Sequence, residues 1–94
     1  MMLGLWRCTF DAGGATHPAV VVFNMVDPVI LLVGEHLLSR DELDARYPGA
    51  TDPECFGEHV LAPVAVDDEQ WAALSGAEKA ALVHRTLDAH EVRS

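Results

Sequence analysis

The chain has 94 residues, 50% of them apolar, and a formal net charge of −9. That length makes one domain with a modest stability margin, which oligomerisation would supplement. The acidic balance excludes direct binding to a phosphate backbone, which needs basic side chains, and no apolar run approaches the roughly 20 residues that span a bilayer.

In chain order, Met1-Met2-Leu3-Gly4-Leu5-Trp6-Arg7 lacks the charged, apolar, small-residue sequence of a secretory signal, so the chain reads as cytoplasmic and soluble. Leu5 to Phe10, rich in aromatic and Thr residues, predicts a strand, and Asp11-Ala12-Gly13-Gly14 a turn. Pro18 to Phe23 is β-branched and predicts a second strand antiparallel to the first; Asp27-Pro28 marks the exit from the turn after it. Val29-Ile30-Leu31-Leu32-Val33 is too short for a helix and too uniformly apolar for a one-sided strand, so it predicts a strand covered on both faces.

Beyond Gly34 the pattern turns helical. Ser39-Arg40-Asp41-Glu42 has the spacing of a capping box and predicts a helix ending before Pro48-Gly49, with Leu43 and Tyr47 on its apolar side. Thr51-Asp52-Pro53-Glu54 repeats the capping logic and predicts one further turn, cut short by Gly57. His59 to Val66 predicts a fourth strand with Val60, Ala62, Val64 and Val66 on one face, and Pro63 assigns it to an edge or bulge. Asp67 or Asp68 caps a short helix carrying Trp71 and Leu74. Ser75-Gly76-Ala77-Glu78 then opens the longest helix, whose stripe of Ala80, Val83, Leu87 and His90 is set to lie on the sheet. Gly34-Glu35-His36-Leu37-Leu38 and Gly57-Glu58-His59-Val60-Leu61 echo each other, a short match of the kind that arises by chance or by an old duplication.

The charge is local. Residues 35–69 hold ten acids against Arg40 and Arg46, a net of −8. A field of one sign suits a basic protein partner or a nucleic-acid-mimicking surface, or serves solubility alone. Many of these acids fall at predicted helix N-termini, where the macrodipole favours them without any catalytic role.

The histidines lack the local spacing of a metal site, so neither metal nor cofactor is expected. Cys55 is the one plausible nucleophile, with His59 four residues on, but Asp52, Glu54 and Glu58 disfavour a thiolate there. Cys8 and Cys55 belong to no Cys-x-x-Cys pattern and read as reduced structural thiols.

The fold expected is therefore α+β: a three- to four-stranded, mainly antiparallel sheet with the C-terminal helix on one face, and shorter helices or a second subunit on the other. A homodimer is expected. Three function classes follow. The first is a small acidic binding module that regulates, inhibits or assists a larger protein with a basic surface, using Asp41, Asp44, Tyr47, Asp52, Glu54 and Phe56. The second is an enzyme or ligand-binding subunit with a pocket lined by His36, Cys55 and His59. The third is a structural component that acts by assembly.

Overall fold

The computed structural model describes residues 1–24 and 29–93; the expected Asp27-Pro28 turn exit lies outside them. The fold is α+β. Its described strands are β1 (Met2–Ala12), β2 (Ala15–Phe23), β3 (Ile30–Val33), β4 (His36–Leu38), β5 (Glu54–Cys55) and β6 (Val60–Pro63). The described helices are α1 (Arg40–Arg46), α2 (Asp68–Ala73) and α3 (Gly76–Arg93). All strand pairings are antiparallel, in the order β4-β3-β2-β1-β5, with β6 also on β1.

The sheet is thus larger than the three or four strands expected. The reason is the length of β1: its 11 residues leave an outer edge long enough for both β5 and β6. β4, at 3 residues, is too short to show a periodicity of its own.

The helix starts follow the capping chemistry of the sequence. Ser39 Oγ accepts from the Glu42 amide at 3.2 Å while Glu42 Oε1 accepts from the Ser39 amide at 3.2 Å. Asp67 with Gln70, and Ser75 with Glu78, repeat this reciprocal pairing at α2 and α3. Thr51 departs from expectation and opens no helical turn. Its amide donates to the Asp11 carbonyl at 2.9 Å and its hydroxyl accepts from the Asp11 amide at 2.8 Å. The residue is consumed as a side partner of β1, and the chain continues extended into β5.

Two cores form, one on each sheet face. Leu3, Leu5, Val20, Val22, Leu32 and Val60 pack under Trp71, Ala80, Val83 and Leu87. Cys8, Phe10, Ala12, Ala19, Leu31, Val33 and Leu38 pack under Leu43, with Tyr47 and Ala50 at the margin. The predicted two-sided strand is observed, with Leu32 in one core and Leu31 and Val33 in the other, whereas Val29 is 62% exposed.

Helix lengths decide what stays uncovered. At 1.5 Å per residue, α3 (18 residues) runs about 27 Å along the first face, while α1 (7 residues) covers only about 10 Å of the second. β1, at about 3.3 Å per residue, is roughly 36 Å long. Half of the second face is therefore open.

Candidate interaction face

Side chains directly opposite in an antiparallel pair share a sheet face, so the register fixes the composition of the open half. Leu61 on β6 lies opposite Gly4 on β1, and Gly4 opposite Phe23 on β2. Continuing the register from Val22 opposite Ile30 places Val29 beside Phe23. Leu61, Gly4, Phe23 and Val29 thus form one row across the sheet. Met2 and Pro63, another opposed pair, lie on one side of this row; Trp6 and Val21 lie on the other. Met2 is 47% exposed and Leu61 62%. None of these residues carries a charge.

Gly4 shapes the row. A methyl group built on it would meet three carbons of the Phe23 ring, the nearest at 2.1 Å. The ring therefore lies over the bare backbone of β1, an aromatic side chain filling the gap left by a strand glycine. His59 joins it: its ring is 4.9 Å from Phe23 and stacks on Trp6 at 5.4 Å. Trp6 Nε1 donates to the Gly57 carbonyl at 3.2 Å, which orients the indole. Trp6, His59 and Phe23 make a ribbon of rings across an open sheet, and its one titratable group is an imidazole.

Beside the ribbon runs a groove of about 350 Å³, lined by Val21, Val29, Leu31, Leu38, Pro53 and Arg40. Arg40 contributes no free charge to it. The guanidinium reaches Asp44 at 3.3 Å, Asp52 at 3.1 Å and the Ala50 carbonyl at 3.1 Å. The groove is apolar with a neutralised end.

The residues singled out in the sequence are dispersed. Asp41 and Asp44 are exposed on α1, and Asp52 answers Arg40. Tyr47 is half-buried, edge-on to Phe10 at 5.2 Å and tilted against His17 at 4.9 Å, so it closes the second core instead of standing free. Glu54 lies opposite Thr9 and Phe56 follows opposite Arg7, which puts both on the α3 side of the sheet, away from α1. The 53%-exposed Phe56 ring lines a shallow depression with Leu87 and His90.

The grouping of His36, Cys55 and His59 is divided by the sheet. His36 is on β4 and Cys55 on β5, four strand spacings or about 19 Å apart. Only Cys55 and His59 share an edge. His36 instead borders a cavity of about 590 Å³ around the β4 edge, with Glu35, Glu42, Arg46 and His84. There, Glu42 is held below the ordinary carboxylate range by the Ser39 amide, then the Ser39 hydroxyl, and His84 Nε2 lies 2.7 Å from the Gly34 carbonyl, so it donates. These two side chains hold the local structure together.

Among the described residues no group of three or more His, Cys, Asp or Glu is placed to hold a metal ion, and no helix is long and apolar enough to cross a membrane. The candidate surface that sequence reasoning missed is the Met2, Gly4, Trp6, Phe23, Leu61 face. Its signal was present: Met2, Gly4 and Trp6 alternate with Leu3 and Leu5, so both faces of β1 are apolar. No protein-family model, curated protein or solved structure matches the chain.

Proposed function

We propose that the protein is a small interaction module that docks a larger protein through the open half of its sheet, and that the acidic exterior selects a partner with basic residues around an apolar centre. The observation that carries this reading is the uncharged row of Leu61, Gly4, Phe23 and Val29, flanked by Met2 and Trp6, on a chain of net charge −9. Its exposed side chains amount to apolar surface on the order of 400 Å², a size at which a monomer's largest patch is often functional. An apolar centre with a charged rim divides the labour: the centre supplies affinity, and the rim supplies steering and choice of partner.

The acidic segment expected to be the contact becomes the rim in this reading. Asp44 and Asp52, the carboxylates that hold Arg40, sit at the Arg40 end of the groove. The groove beside Val29 is a seat for one apolar anchor side chain of the partner. A second copy of this chain is the competing occupant, and it would have to bring two chains of the same acidic charge together.

The test is a binding series on the partner captured from cells that make the protein. Leu61→Asp and Val29→Asp each place a carboxylate on a side chain already 62% exposed, so the fold tolerates them. Each is expected to weaken binding by about 30-fold or more, mainly through faster dissociation. Reversal of Asp41 and Asp44 to Lys is expected to slow association and flatten its salt dependence. Binding unaffected by Leu61→Asp and Val29→Asp would overturn the proposal, as would a stable homodimer of the free protein that those substitutions dissolve.

A further inference from the structure

The two cysteines, 47 positions apart in sequence, are direct cross-strand neighbours: Cys8 on β1 lies opposite Cys55 on β5. The hydrogen bonding of the ladder fixes the kind of pair. The Phe56 amide donates to the Arg7 carbonyl at 2.9 Å, so Arg7 and Phe56 form a hydrogen-bonded pair and the next pair, Cys8 with Cys55, is the non-hydrogen-bonded kind. Such pairs have Cα atoms about 4.5 Å apart and both side chains on one face, within the roughly 4.4–6.8 Å range that a disulfide spans. Both thiols are free in the structure, Cys8 buried and Cys55 exposed.

We propose that Cys8 and Cys55 form a reversible redox site, oxidised to an intramolecular disulfide by exchange with a low-molecular-weight disulfide of the glutathione type. Cys55, open to solvent, is the entry point. Its thiolate attacks one sulfur of the small disulfide, expelling one small thiolate and leaving a mixed disulfide on Cys55. Cys8 then loses its proton to solvent and attacks the Cys55 sulfur, forming the Cys8–Cys55 bond and expelling the second small thiol. The protein gives up two electrons and two protons, and the small disulfide becomes two thiols.

Burial pushes the Cys8 thiol up to about 11, and the neighbouring Cys55 adds to the shift. Cys8 is therefore the resolving partner and not the first nucleophile, since the thiolate is the attacking form. The consequence is mechanical. β5 is only 2 residues long and is followed by the 56–59 connection to β6, which carries His59 against Trp6. A disulfide would fasten that connection to β1.

The test uses the full chain in native buffer, incubated with oxidised glutathione and analysed by intact mass and peptide mapping. The expected result is a monomer lighter by two hydrogens, with a Cys8–Cys55 cross-linked peptide, restored by dithiothreitol. In Cys8→Ala the reaction is expected to stop at the glutathione adduct on Cys55, accumulating roughly ten-fold or more over wild type, because the intramolecular resolving step is gone. Cys55→Ala is expected to react far more slowly, its remaining thiol being buried. Wild type that stops at the adduct, or that cross-links only between molecules, would overturn the proposal. So would an intramolecular disulfide that forms only in urea.

Discussion

Replacing Gly4 with alanine isolates the contact that shapes the open face. The added methyl would sit 2.1, 2.5 and 2.7 Å from three carbons of the Phe23 ring, whereas ordinary contact begins near 3.4 Å. The ring must lift by more than 1 Å, and it then loses its seat on β1 and its contact with His59 at 4.9 Å. Overpacking of this kind costs roughly 1–3 kcal/mol. Against it stands a gain of about 0.5–1 kcal/mol, since alanine restricts the unfolded chain more than glycine does. The net expectation is a loss of about 1–2 kcal/mol, a fall in Tm of roughly 4–16 °C for a domain this size.

The background decides the sign. In Phe23→Ala the obstacle is absent, and Gly4→Ala is expected to be neutral or to stabilise by about 0.5 kcal/mol. Urea melts of wild type, both single variants and the double variant complete the cycle. Coupling of about 2 kcal/mol supports the packing described; additivity within about 0.5 kcal/mol would refute it.

Three other outcomes follow from the same structure. Ser75→Ala removes the hydroxyl that receives the Glu78 amide at 3.2 Å, and is expected to cost about 1 kcal/mol in a urea melt. The Glu78 carboxyl is held below its ordinary range by the Ser75 amide, then the Ser75 hydroxyl. Its contribution is therefore present above the unfolded pKa and lost as pH falls through the folded one, so Glu78→Gln is expected to lessen the acid sensitivity of the melt. Cys8 acts at the alkaline end: its folded pKa of about 11 lies above the ordinary 9.0. The unfolded thiol ionises first, so stability falls by up to roughly 3 kcal/mol as pH rises from 9 to 11, and Cys8→Ala is expected to flatten that slope in melts across this range.

Local chemistry was the legible part of this sequence. Ser39 and Ser75 announce their helices because capping depends on residues three apart; Asp67-Asp68 announces a cap that the structure fixes at Asp67, and all three reciprocal pairs close. Pro63 is similarly local. The Met1–Val64 pair exchanges both backbone hydrogen bonds, so by alternation Pro63 is in a non-hydrogen-bonded pair and its missing N–H faces outward from the edge.

The Gly-Glu-His echo has a physical basis as well. Gly34 and Gly57 have φ of +60° and +73°, and each leads into an edge strand, β4 and β6, at opposite sides of the sheet. Two turns into two edges ask for the same residues. Long-range pairing, by contrast, leaves no local trace. Nothing in Thr51 to Cys55 shows that it will lie along β1, so Thr51 read as a cap and Cys55 as a neighbour of His36. The open face did leave a trace, in the two apolar faces of Met2 to Trp6, but its exposure depends on how little of the sheet α1 can reach.

The most direct test of the account is site-specific photocrosslinking in cells that make the protein, with the reactive residue at position 61, 29 or 41 in turn. Strong crosslinks to one and the same heterologous protein are expected from positions 61 and 29, and weaker crosslinks to that protein from position 41 at the rim. Crosslinks confined to position 41 would contradict it, and products with the mass of two copies of this chain from positions 61 and 29 would assign the open face to self-association instead.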